Sequence, residues 1–185
     1  GDGSDLGADL VLDAGGRRSP VPKWLAERGV EVPSDIQDCG SIYCSRYYRL
    51  NPDAGLPLFA ILGVREQADR LSILGFPGDH DTYGLAVFVG NDDEAFKAVR
   101  HTWAWDPLMA AFPRVAPWAD PANAVPLTDV QLMGGHQNVR RHFVVDGRPL
   151  VLNLLPIGDA LCTTNPIYGW GASMALTYAF AAVEA

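Results

Sequence analysis

Apolar residues run almost unbroken through Ala8-Asp9-Leu10-Val11-Leu12 and then stop at Asp13-Ala14-Gly15-Gly16-Arg17-Arg18-Ser19. The first segment predicts a strand buried on both faces, as in a parallel sheet, and the second a tight turn in which glycines supply positive φ. Pro20 to Gly29 predicts a short helix with Trp24 and Leu25 inward and Gly29 as its stop. From Gly40 to Val89 the pattern changes to alternating or β-branched runs at Ser41 to Arg49, Leu58 to Val64, Leu71 to Phe76 and Tyr83 to Val89. Pro, Gly and Asp turns separate them, which predicts an antiparallel sheet.

Asn91-Asp92-Asp93-Glu94 has the composition of an acidic N-cap, followed by Ala95, Phe96, Val99, Thr102 and Trp103 at helical spacing. A second helical piece is expected from Pro107 to Phe112, an irregular stretch from Pro113 to Pro126, and no definite period from Val130 to Arg141. Phe143 to Val145 and Leu150 to Leu154 flank Asp146-Gly147-Arg148-Pro149 as a hairpin. The last helix, from about Trp170, carries apolar or small residues on nearly every side and is expected to be buried. The polar Gly1 to Gly7 opening leads directly into a strand whose sheet neighbours must come from elsewhere, so sequence is expected upstream of Gly1.

Composition narrows the function classes. With 185 residues, 48% of them hydrophobic, the chain can bury a core without disulfides or metals. A formal net charge of -8 disfavours nucleic acid and anionic membrane surfaces. No apolar run approaches the roughly twenty residues that cross a bilayer. Three cysteines, Cys39, Cys44 and Cys162, form no C-x-x-C pair, and with no signal peptide a cytoplasmic location is expected.

The most specific feature is Leu155-Pro156-Ile157-Gly158-Asp159-Ala160 followed by Asn165-Pro166-Ile167-Tyr168-Gly169-Trp170-Gly171-Ala172. Gly169 and Gly171 leave room for a flat ligand near the backbone, and the free N–H groups of a helix start offer donors and partial positive charge. Asp159 can accept hydrogen bonds from sugar-like hydroxyls, while Pro166 sets the chain direction. A strand-to-helix connection with a capping aspartate explains the same residues more plainly.

This segment resembles the G-D motif and P-x-x-G-x-G helix start of the FAD-dependent flavoprotein monooxygenases related to p-hydroxybenzoate hydroxylase, with their halogenase and geranylgeranyl-reductase-like relatives. The resemblance implies that Asp159 binds ribityl hydroxyls of FAD. It places Gly158, Pro166, Gly169, Trp170, Gly171 and Ala172 beside the cofactor, where the helix start would stabilise negative charge on the flavin. A second segment, Ala8 to Ser19, resembles the family's strand ending in D-G-x-x-S and adds Gly16 and Ser19 to the cofactor residues. Gly15 stands where the family has aspartate, and Asp13 lies two residues earlier.

The implied fold class is α+β: a mostly antiparallel substrate-domain sheet with helices, flanked by pieces of an incomplete, Rossmann-like FAD-binding domain. The expected divisions are 1–29 (partial FAD-binding), 30–150 (substrate-binding) and 151–185 (partial FAD-binding). No G-x-G-x-x-G follows an opening strand, so the ADP half of FAD is expected to sit on a missing N-terminal segment or a separate chain.

Other candidates carry less. His80 lies in a turn whose adjacent residues cannot converge on one ion, and no metal site is expected. His136, Arg140, Arg141 and His142 form the one local basic cluster, read as a solvated face or as an attractor for NAD(P)H phosphates. Trp103 and Trp105 read as core or pocket-lining aromatics, and Tyr43 and Tyr47, on one strand face, as sheet packing or the lining of an aromatic substrate pocket. No serine nucleophile elbow is present. The expected function is part of an FAD-dependent oxidoreductase, a monooxygenase using NAD(P)H and O2 on a small hydrophobic or aromatic organic substrate, with this chain inactive alone. Alternatives are a non-catalytic substrate-binding domain that does not hold FAD by itself, and a flavin-dependent halogenase or reductase.

Overall fold

The computed structural model describes residues 5–184, so the Gly-rich residues 1–4 and the last residue of the chain lie outside it. In chain order the elements are β1 (Val11–Asp13), α1 (Val21–Ala26), β2 (Ser34–Asp38), β3 (Ser41–Leu50), β4 (Arg65–Gln67), β5 (Leu71–Pro77) and β6 (Thr82–Gly90). Then follow α2 (Thr102–Ala111), α3 (Ala116–Ala119), β7 (Ala124–Pro126), β8 (Gln131–Met133), β9 (Gln137–Arg141) and the short strands β10 (Val144–Val145) and β11 (Arg148–Pro149). The chain closes with β12 (Leu154–Pro156), β13 (Cys162–Thr163) and α4 (Trp170–Glu184). The class is α+β, with mostly antiparallel sheets.

The chain divides into two compact units, one of Gly1–Cys39 with Gln137–Ala185 and the other of Gly40–His136. The breaks fall away from the expected 29/30 and 150/151 because β9 is the middle strand of the sheet β13-β9-β2. That pairing draws residues 34–38 and 137–141 into the unit that holds both chain ends.

The Gly40–His136 unit is built on an antiparallel sheet in the order β4-β5-β6-β3-β7, with β8 pairing a further stretch of β3. One face carries the core: Cys44 and Tyr48 of β3, Ile73 of β5, and Tyr83, Leu85 and Val87 of β6 pack with Trp105, Met109 and Trp118. The buried polar atoms there pair with each other. Trp105 Nε1 donates to the Tyr48 hydroxyl at 2.7 Å, the Tyr48 and Tyr83 rings stack 5.6 Å apart, and the Tyr83 hydroxyl donates to the Trp118 carbonyl. Trp103, two residues from Trp105, is 71% exposed.

Leu58 to Val64 is not a strand: Leu58–Gly63 forms a 3-10 helix that drives Ile61 into the core. A Cβ at Gly75 would lie 2.6 Å from Ile61 Cγ1 and from the Ile61 carbonyl oxygen, so the missing side chain of β5 makes room for that turn. The cap of the next segment is Asp93 rather than Asn91: its carboxylate accepts from the Phe96 N–H while both oxygens receive Arg70. That segment is a 3-10 turn, Phe96–Arg100, and α2 begins at Thr102 and runs through Pro107.

In the other unit, α1 ends as expected. Gly29 has φ 82, its N–H donates to the Ala26 carbonyl, and the Val30 N–H reaches back to Leu25. Trp24 is 52% exposed rather than inward. The hairpin β10–β11 turns on Asp146 and Gly147, both at positive φ, as a two-residue turn requires. Parallel pairing of β1 with β12 is as the apolar run predicts, but Leu10, Val11 and Leu12 are each about half exposed among the described residues. The final helix likewise is not buried: Gly171, Met174, Ala175, Tyr178 and Ala182 form its inner stripe, while Leu176, Phe180 and Val183 are 61%, 69% and 87% exposed.

Two outcomes follow from the packing. Gly75→Ala is expected to cost about 1–3 kcal/mol, because backbone as well as side chain of Ile61 must move, and urea unfolding measures it. Burial pushes the Cys44 thiol from 9.0 up to about 11. The folded chain therefore holds the neutral thiol while the unfolded chain ionises. Stability from this group is complete below pH 9 and is lost at about 1.4 kcal/mol per pH unit as pH rises toward 11. Denaturation of Cys44→Ala across that window should show a shallower alkaline decline than the wild type.

Candidate functional site

Two turns are brought side by side by one pair of parallel strands. Leu12 lies opposite Leu155 and Asp13 opposite Pro156, and the Ile157 N–H donates to the Asp13 carbonyl at 3.0 Å. The chain leaves β1 through Gly15 to Ser19 and leaves β12 through Gly158 to Ala160, so both turns stand at the same end of the pair.

The first turn is closed by Asp13. Its carboxylate is buried and accepts from the Gly15 N–H at 2.9 Å and from the Ser19 hydroxyl at 2.6 Å, and Ser19 Oγ in turn accepts from the Val21 N–H. A Cβ at Gly15 would sit 3.0 Å from Asp13 Oδ1 and 3.2 Å from Ser19 Cα. A side chain at position 15 would need Asp13 and Ser19 to give by a few tenths of an ångström, and the carboxylate that shapes the turn comes from two residues earlier. Gly16 alone in this turn takes positive φ, at 70. Ser19 is committed to the turn through both of its hydrogen bonds.

The second turn is pinned through its backbone. Gly158, at φ 57, packs against α4, where an added Cβ would meet Ala175 Cβ at 3.4 Å. The Asp159 carbonyl accepts from Arg141 Nη1 at 3.1 Å and from Thr163 Oγ1 at 3.1 Å. The Asp159 carboxylate accepts no hydrogen bond and forms no ion pair among the described residues. It lies 3.8 Å from where a Gly171 Cβ would be, on the first turn of α4. A carboxylate on a fixed backbone thus faces a helix start whose first N–H groups lack intrahelical partners.

The approach to α4 is equally set. Asn165 donates its N–H to Asn138 Oδ1 at 2.7 Å and accepts from the Ile167 N–H, Pro166 opens a 3-10 turn, and Gly169 ends it at φ 66. No atom lies within 4 Å of a Cβ at Gly169, so conformation, not crowding, requires glycine there. Ala172 is exposed on the first turn of α4. Tyr168 and Trp170 stack 5.1 Å apart and are both exposed. They edge a cleft of 570 Å³ whose walls include Asp38, Asn138, Thr164 and Asn165. Cys39 also lines it, and burial together with Asp38 raises its thiol above the ordinary range, so it offers no ready thiolate.

The basic cluster divides. His142 Nε2 is 2.9 Å from Asp35 Oδ2, Arg140 lines the cleft, and His136, in the other unit, meets the Tyr43 ring edge-on at 5.2 Å. Arg141 turns inward to the two turns, a role its place in a charged run concealed. In the Gly40–His136 unit, Tyr43 is buried against Phe88 at 4.8 Å, whereas Tyr47 is 48% exposed beside Gly84. His80 sits at the exposed tip of the β5–β6 hairpin with φ 53. No helix among the described residues is long and apolar enough to cross a membrane.

The chain has the fold of the FAD-dependent monooxygenases and their halogenase relatives. The flavin-dependent brominase Bmp2 is 22% identical, matching 94% of this chain and 42% of its own at a TM-score of 0.53. HpxO of Klebsiella pneumoniae, solved with FAD and uric acid, is 15% identical over 95% of this chain and 42% of its own, at a TM-score of 0.56. Protein Rv3254 of Mycobacterium tuberculosis is 26% identical over 177 residues, 91% of this chain. The chain spans 35% of that protein's length. No protein-family model matches.

Removing the carboxylate of Asp13 strands the Gly15 N–H and the Ser19 hydroxyl. Asp13→Ala is expected to destabilise by about 1–3 kcal/mol, read as a lowered midpoint in chemical denaturation.

Proposed function

We propose that the chain is part of an FAD-dependent oxidoreductase and supplies the residues that meet the flavin end of the cofactor. The observation that carries this reading is the Asp159 carboxylate, fixed by its backbone, unpartnered among the described residues and set beside Gly171 at a helix start. Asp13, the last residue of the neighbouring strand, spends its carboxylate inside its own turn. The donor set suits FAD: a carboxylate for hydroxyls, and backbone N–H groups for an electron-rich ring edge.

In this reading Asp159 holds the ribityl hydroxyls, and the backbone from Gly169 to Ala172 holds the ring edge. Gly158 and Pro166 set the positions of those groups, Trp170 flanks the ring, and Gly16 and Ser19 shape the neighbouring turn. FAD supplies the redox chemistry, with NAD(P)H as reductant and O2 as the second substrate. The chain's own residues bind and orient; none acts as a general acid or base. The 30–150 region, with Tyr43 and Tyr47 of β3, faces a small hydrophobic or aromatic substrate. The likeness in fold to a brominase and to HpxO supports a redox enzyme of this kind, and halogenation remains the second reading on the same fold.

The exposed apolar residues of β1 and of the outer stripe of α4 favour a further segment, or a separate chain, that covers them and seats the ADP half. Without it the chain is proposed to be inactive and to act only as a substrate-binding part. In the full-length protein, FAD fluorescence quenching should report binding. Asp159→Ala should weaken that binding by about 1.5–3 kcal/mol, the worth of hydrogen bonds to a charged group. Equal affinity in wild type and variant removes Asp159 from the site, and no affinity in either removes FAD.

A further inference from the structure

Arg141 reaches three main-chain carbonyls with one guanidinium. Nη1 donates to the Asp159 carbonyl at 3.1 Å and the Ala160 carbonyl at 2.9 Å, and Nη2 donates to the Arg17 carbonyl at 3.0 Å. Arg17 belongs to the turn after β1, and Asp159 and Ala160 to the turn after β12. Both turns are single 3-10 turns, closed by Ser19 N–H to Gly16 and by Leu161 N–H to Gly158. Each turn therefore leaves its later carbonyls without a partner inside the turn, and these are the oxygens Arg141 collects.

The arginine is itself held. It is paired with Ser34 of β2, and its N–H donates to the Leu161 carbonyl at 2.9 Å. A planar fork with fixed donors suits this bridging of separate acceptors, and a lysine's single hydrated ammonium does not reproduce it.

We infer that Arg141 is a positioning residue that locks the two turns into one preorganised cradle for the cofactor, acting on Asp159 through its backbone without touching the ligand. This rests on the reading of the turns as cofactor-contacting. If one ligand spans both turns, any freedom between them must be removed on binding, and Arg141 removes it beforehand.

The test uses the full-length protein with Arg141→Lys and Arg141→Ala. Hydrogen exchange at the Ser19 and Leu161 amides should accelerate together in both variants. FAD affinity by fluorescence quenching should fall at least tenfold in each. Millimolar guanidinium ion should restore affinity to Arg141→Ala, while the same concentration of potassium should not. That rescue separates a missing fork from a generally loosened fold. Unchanged exchange in either turn, acceleration of one turn alone, or weakened binding that guanidinium does not restore overturns the inference. If the wild type has no affinity for FAD, the cofactor reading fails by itself, and the exchange data still decide whether Arg141 locks the turns.

Discussion

Everything at the candidate site depends on the parallel pairing of β1 with β12, two three-residue strands separated by most of the chain. Parallel neighbours deliver their outgoing turns to the same end, so register alone places Asp13 opposite Pro156 and sets the Gly15–Ser19 and Gly158–Ala160 segments side by side. So short a pair has few ladder hydrogen bonds with which to hold itself. The added contacts come from the ends: the Ile157 N–H extends the ladder to Asp13, the Val11 N–H to Asn153, and Arg141 bridges beyond the strands.

The intervening Gly40–His136 unit solves a different problem. Its sheet must bury three large aromatics that each carry a polar atom: Trp105 donates to the Tyr48 hydroxyl and Tyr83 donates to the Trp118 carbonyl. Such a network tolerates little substitution because removing one member leaves a buried donor or acceptor unpaired. Burial raises the Tyr48 and Tyr83 hydroxyls above the ordinary phenol range and keeps them neutral.

Period and punctuation made the long strands legible: β3, β5 and β6 appear nearly where alternation placed them, and Gly29 and Asp146-Gly147 turn as their chemistry demands. Leu58 to Gly63 was not legible, because an apolar run bounded by glycine has the same composition whether extended or in a 3-10 turn. Only the room above Gly75 decides it. The exposed outer stripe of α4 was hidden for the opposite reason: its composition suits burial, yet Leu176, Phe180 and Val183 are exposed among the described residues. The site was half legible. The Gly158-Asp159 and Gly169 to Gly171 spacing marked the candidate site in sequence, but the reach of Arg141 to Arg17 crosses 124 residues, which no local pattern encodes.

Asp13, which ends β1, and Asp159, in the turn after β12, show how position and chemistry separate. Asp159 directly follows a glycine and is marked by the sequence, whereas Asp13, between Leu12 and Ala14, stands out there only as the acid two residues before Gly15. Asp13 is buried, and a buried carboxylate must be paired, so its oxygens take the Gly15 N–H and the Ser19 hydroxyl and shape the turn. Asp159 is only partly covered, and its carbonyl takes the hydrogen bonds that fix the turn. Its carboxylate accepts no hydrogen bond and forms no ion pair among the described residues. On the proposed reading, a charge held rigid by bonds to another atom of the same residue is preorganised for a ligand.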